Sequence, residues 1–341
     1  MKKILAAFAV ALSTACAFAQ DQALDLQPGY AQQQILTVPY SVSNFDYDAS
    51  GNLCFSGGDS SDYYQQNEII EATAASDFAT LTPVVEFSSP TYGSFVTVQS
   101  GTVYYGDSSN VYATSLSATP PSSPTVLTAS LPSNYDMEFS GTTGFVSANS
   151  NGYSNQVFAI DPGTGDATPV MDTGGDYSGP IALTSAGGLI YGATGAADIY
   201  GIYSFTAAQV QQAITSGTEL ELTQGTLLAS NSGNSAFAIG PDNELIQAYS
   251  PYTGPEASIT EYNLVTGSST LIGTVDSTDY SIVGVRDQNG AITVAETDGG
   301  SFTDFITVSQ VPEPSAPLAI TLGLGGLLPA AAAIRRRART N

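Results

Sequence analysis

The chain has 341 residues, 31 acidic and 7 basic, and contains neither histidine nor tryptophan. Residues 21–310 hold 30 of the acids against one base, Arg286, a formal charge of −29, which repels nucleic acid and anionic membrane because both need Lys or Arg to neutralise them. The same composition excludes a Ser-His-Asp triad, imidazole metal ligands, Schiff-base lysines and cationic phosphate clamps within that segment.

Disorder does not follow from the charge. Hydrophobic residues make up 42% and aromatic residues 10%, enough for a packed core. Abundant Tyr, Gly, Ser, Thr and Asn with scarce Lys indicate a β-rich, turn-rich chain.

Residues 1–19 read as a secretory signal peptide. Lys2 and Lys3 form the basic start, residues 4–12 the apolar stretch, and Ala17-Phe18-Ala19 the small-x-small cleavage site. Cys16 sits three residues after Ser13, which is not the aliphatic residue a lipoprotein site carries there. After cleavage Cys54 remains alone, so no intramolecular disulfide can form, and it reads as a small hydrophobe in a strand.

Residues 20–310 form the body. A strand at residues 34–39 comes first, with no partner nearby in sequence. Six degenerate copies of a strand–turn–strand unit follow, starting at Asn44, Ser94, Asp136, Pro180, Ala236 and Ser281. Each has alternating apolar residues, a Gly/Asn/Asp turn and a second apolar run, which is the pattern of a β-hairpin. A third strand follows in every copy, and a fourth in the first five, such as residues 82–87 and 270–275. Copies begin about every 40–55 residues, the period of four-stranded propeller blades.

The sixth copy lacks its fourth strand, and the lone strand at 34–39 has the fourth-strand pattern. Ring closure joins the two observations: the N-terminal strand completes the last blade and removes the open edges. The expected fold is an all-β, six-bladed β-propeller, with a β-sandwich or β-solenoid as the alternative. The turn after Asp48 (Ala49-Ser50-Gly51-Asn52) resembles the hairpin of NHL or SMP-30-type propeller repeats. One stretch departs from the pattern: residues 207–215 favour helix, with Thr206 as N-cap, inserted between the third and fourth strands of the fourth blade.

Without histidine or a free cation, only paired carboxylates remain for catalysis, as in carboxylate-only glycosidases. No single Asp or Glu is singled out by a motif. Asp46, Asp48 and Ser50, followed by Gly51, match the first half of an EF-hand loop and are the candidate Ca²⁺ ligands. The twelfth position is Gly57 rather than Glu, and the same residues are the repeat's own turn, which is the favoured reading. Tyr63, Tyr64, Tyr92, Tyr104, Tyr105, Tyr252 and Tyr280 either pack between blades or offer stacking surfaces for sugars.

Residues 311–341 differ from the body in every respect. Pro312, Glu313 and Pro314 precede a charge-free stretch at 315–334, long enough to span a bilayer as a transmembrane helix. Arg335, Arg336, Arg337 and Arg339 then form a cluster that stays cytoplasmic by the positive-inside rule. A plain single-pass anchor would satisfy these features. The three parts in this order also resemble the PEP-CTERM sorting signal of exosortase-containing Gram-negative bacteria. That resemblance implies recognition of Pro312-Glu313-Pro314 by an exosortase, transient residence in the inner membrane, and removal of the tail. It further implies an extracellular or cell-surface destination associated with exopolysaccharide and matrix. The functional expectation is a non-enzymatic structural or adhesive surface component, with a carboxylate-dependent glycan-active enzyme as the alternative.

Overall fold

The computed structural model describes residues 24–311, apart from 58–65, 92–93, 108, 119–120, 129, 151–153, 175–177, 195–199, 231–233, 251–255, 277–279 and 299–301. The signal-peptide segment, Pro312, Glu313, Pro314, the span at 315–334 and the arginine cluster lie outside the described residues. No helix among the described residues is long and apolar enough to cross a membrane.

Six sheets, each built on four antiparallel strands, follow one another along the chain. Their innermost strands are Phe45–Tyr47, Val96–Gln99, Asp136–Ser140, Ile181–Leu183, Asn234–Ile239 and Ser281–Gln288. These six contact one another in cyclic order, with the sixth returning to the first, so the sheets are the blades of a closed propeller. The six-bladed fold expected from the repeat is the fold observed.

Closure occurs where the sequence placed it. Tyr30–Val38 pairs antiparallel with Thr303–Gln310 and becomes the outer strand of blade six, starting four residues earlier than its apolar pattern suggested. A second closure was not legible: Leu24–Leu26 pairs with Ser269–Asp276 as a fifth strand on blade five. Three residues are too few to show a period.

Each gap between neighbouring blades holds its own apolar cluster, six in all among the described residues. Alternation along the strands produces this, since successive side chains face opposite neighbours. At the closing gap between blades six and one, Phe305 packs edge-on against Phe45 at 5.3 Å between ring centres and lies 5.2 Å from Phe55. Cys54 is fully buried between blades one and two, where burial holds its thiol well above the ordinary value, matching its reading as a small hydrophobe. Tyr104 and Tyr105 also pack between blades. Tyr63, Tyr64, Tyr92 and Tyr252 lie outside the described residues.

The expected helix is α1, Ala207–Ser216, with a full capping box: Thr206 Oγ1 accepts from Gln209 N while Gln209 Oε1 accepts from Thr206 N. Val210 and Ala213 bury its inner face against blades three and four. Beyond it, Leu220–Glu221 pairs in parallel with Ala167–Asp172, so the insertion from blade four adds a fifth strand to blade three.

Candidate functional site

The propeller axis gathers the site. An innermost strand is an edge strand, and its outward N–H and C=O groups need partners. Arg286, on blade six, is the only Lys or Arg of residues 21–310 and is 6% exposed. Its Nη1 donates to Val285 O at 3.0 Å and to Phe237 O of blade five at 3.3 Å, and its Nη2 to Val96 O of blade two at 3.5 Å.

Three carboxylates surround the guanidinium. Asp46 Oδ1 of blade one lies 3.4 Å from Nε, off the line of a hydrogen bond. Asp136 and Glu138 of blade three approach Nη2 and Nη1 at 4.0 and 3.7 Å. The two aspartates serve the amides that Arg286 cannot. Asp46 accepts from Tyr47 N at 2.8 Å and from Val98 N of blade two at 2.7 Å. Asp136 accepts from Met137 N at 2.9 Å and from Ile181 N of blade four at 3.0 Å. Thr97 Oγ1 donates to Met137 O at 2.8 Å, tying blade two to blade three. All six blades are therefore joined at the axis: carboxylates take the amides and the guanidinium takes the carbonyls.

Burial raises the carboxyl pKa of Asp46 and Asp136, against the pull of Arg286 and the backbone amides. Glu138 receives no such amide, and burial, opposed by Arg286 and reinforced by Asp136 and Asp46, pushes it to about 8. Its side chain is nonetheless 27% exposed, since protein surrounds it closely while one side stays open to water. That contact with water tempers the rise without reversing it. Chemically, the axis offers one partly accessible carboxyl, two carboxylates committed to the backbone, and one cation shared among them.

The candidate calcium residues are dispersed by this arrangement. Asp46 turns into the axis. Asp48 caps its own turn, with Oδ1 accepting from Ser50 N at 2.8 Å and Asn52 N at 2.7 Å, and Oδ2 from Asn52 Nδ2 at 3.0 Å. Ser50 is exposed, and Gly51 takes the left-handed conformation the turn requires at φ +81°. The first half of the EF-hand pattern is thus a hairpin turn joined to an axial ligand of Arg286. Among the described residues no group of three or more Cys, Asp or Glu side chains converges as a metal site.

Sequence reasoning did not assemble Arg286, Asp136 and Glu138. The available signal was the solitude of Arg286: one cation among 30 acids, inside a strand rather than a loop.

The chain matches no family model and no curated protein. Solved structures do resemble it. A calcium structure of Carbohydrate-Active Enzymes family AA12 from Trichoderma reesei superposes with a TM-score of 0.60 at 12% identity, covering 85% of this chain and 97% of that one. The PQQ domain of pyranose dehydrogenase from Coprinopsis cinerea gives 0.59 at 9% identity, over 83% and 97%. A catalytically inactive virginiamycin B lyase from Staphylococcus aureus with quinupristin gives 0.51 at 10% identity, over 82% and 99%. Likeness at these identities defines the class, a six-bladed β-propeller, and nothing finer.

Proposed function

We propose that this chain is an exported, acidic propeller that works by binding, as a structural or adhesive component of an extracellular matrix or polysaccharide layer, delivered by a PEP-CTERM tail and an exosortase. The observation that carries the binding reading is the closed axis. Asp46 and Asp136 each give both carboxylate oxygens to backbone amides, so neither is free to act as nucleophile or base. Delivery rests on the tail, residues 312–341, whose three parts stand in the sorting order.

The PQQ of the pyranose dehydrogenase neighbour does not fit. Pyrroloquinoline quinone carries three carboxylates and calls for cationic anchors. Residues 21–310 offer Arg286 alone, buried and already shared by three acids. A polysaccharide partner remains compatible, since neutral sugars need hydrogen-bonding groups rather than cations.

Glu138 supports the second reading, a carboxylate-dependent glycan-active enzyme, because a carboxyl held protonated near neutrality can serve as a general acid. A binding and hydrolysis screen of wild type and Glu138→Gln against neutral and acidic polysaccharides separates the two. Binding without turnover, retained in the variant, supports the matrix component. Turnover lost in Glu138→Gln supports the enzyme. Intact-mass measurement of protein recovered from cells tests delivery: a mature chain still ending at residue 341 would exclude exosortase processing.

A further inference from the structure

Blade six carries an unspent pair of carboxylates. Glu296 on the second strand and Asp304 on the third are direct register partners, and Thr37 of the closing N-terminal strand is the next partner in that row. Directly opposed side chains share one face with Cβ atoms about 4.5–5.5 Å apart, and like charges so placed repel. Asp304 Oδ1 accepts from Gln34 Nε2 at 2.8 Å and from Thr37 Oγ1. Glu296 is 3% exposed, and its Oε1 is buried with no hydrogen-bond partner. It stands at the end of the face whose earlier members, Ile292 and Val294, pack against blade five. Among the described residues no Lys or Arg approaches, because the body's single cation is committed at the axis.

A buried carboxylate oxygen left bare is destabilising unless the group is neutralised or paired. Here the facing group is a second acid, so the missing partner is a cation. We infer that Glu296 and Asp304 form a site for a hard divalent cation, Ca²⁺ or Mg²⁺, entering from the rim past Gln34 and Thr37. Oxygen-only ligands suit hard ions such as these, with Mn²⁺ alongside them, rather than softer metals that prefer nitrogen or sulfur. Two carboxylates leave the remaining coordination positions to water, since no third acid converges among the described residues. Such low ligand charge belongs with the weaker extracellular class of calcium sites, with Kd of about 10⁻⁴–10⁻³ M. The ion would bridge the second and third strands of blade six next to the closing strand. It would thereby relieve the repulsion built into the blade that shuts the ring.

The test is a calcium titration of chelator-treated protein by calorimetry, repeated with magnesium, at about 0.15 M ionic strength to screen diffuse binding to the acidic surface. One saturable site is expected, with a rise in melting temperature on loading. Glu296→Gln and Asp304→Asn should each weaken binding by at least about tenfold. Glu86→Gln, which alters a comparable cross-strand acid pair with Glu68 on blade one, should leave binding unchanged. Folding is checked in chelator, where Glu296→Gln should melt no lower than wild type because it removes the bare charge. Should Glu296→Gln fail that check, Asp304→Asn decides the question. Absence of a saturable site, or wild-type binding in both variants, would overturn the inference and leave Glu296 as a protonated core residue.

Discussion

The axis and the gaps between blades are both buried, yet they are filled by opposite chemistry. The gaps hold Phe, Val, Ile, Leu and Met, and the strands facing them have already satisfied their backbone within the sheets. The axis is bounded by six strand edges whose amides and carbonyls have no further strand to meet. Apolar side chains there would strand those groups at about 1–3 kcal/mol each. Asp46, Asp136, Arg286 and Thr97 take them instead. The lesson is that a propeller closes twice: at the rim through a strand, and at the axis through side chains that replace one.

The largest expected effect breaks both regions together. Removing the residues before 40 deletes the outer strand of blade six and the fifth strand of blade five. It exposes Thr303–Gln310 as a long free edge, and the product should aggregate or lose its cooperative melt in calorimetry.

Two lesions of similar size then separate the regions. Arg286→Met leaves Asp46 and Asp136 without their cation, while Glu138 stays protonated, and should cost about 3–5 kcal/mol in chemical denaturation at pH 7. Phe305→Ala opens a cavity between blades six and one and should cost a comparable amount, about 3–5 kcal/mol. The difference is in pH. Acidification protonates the stranded carboxylates, so the Arg286→Met deficit should shrink at lower pH, while the Phe305→Ala deficit should stay constant. A pH-independent deficit in both would mean that the axis is held by packing rather than charge.

A smaller effect concerns Glu138 alone. Its carboxyl is raised from 4.5 to about 8 in the folded state, mainly by burial. The folded protein therefore keeps a proton that the unfolded chain has released, and stability should fall as pH rises through that window. In chelator, Glu296, raised to about 7 by burial and by Asp304, adds a loss of the same sign over a shorter range. Glu138→Gln should flatten the decline between pH 5 and 8 in urea midpoints, leaving the Glu296 component.

The smallest effect lies outside both regions. Thr206→Ala removes the side-chain cap of α1 and should cost about 0.5–2 kcal/mol. Because α1 packs on the rim of blades three and four, the change should alter neither the pH response of the axis nor the oligomeric state.

The blades were legible because a strand's alternation is local: residues 256–260 show their period without reference to anything distant. The closing strand was legible for a different reason, an arithmetic gap in the sixth copy. The helix announced itself through Thr206 and a run of helix formers. Leu24–Leu26 and Leu220–Glu221 stayed hidden because such short strands owe their existence to the edge they meet. The axial cluster was hidden because Asp46, Asp136, Glu138 and Arg286 come from three separate copies, and only the ring brings them together. The repeat reading showed that inner strands existed, but not how far each copy was shifted along the axis, and that shift decides which acids meet the arginine.

The clasp at the chain's exit has a mechanical consequence. Val311 N donates to Gly29 O at 2.8 Å, at the point where Thr303–Gln310 lies between Ala291–Thr297 on one side and Tyr30–Val38 on the other. A pull applied through residue 311 runs along a strand hydrogen-bonded on both flanks, so it loads both ladders in shear at once instead of peeling one open bond by bond. The N-terminal strand thus acts as a second rail for tension entering from the C-terminal side. A protein tethered by that end would resist tugging most strongly where its ring was joined last.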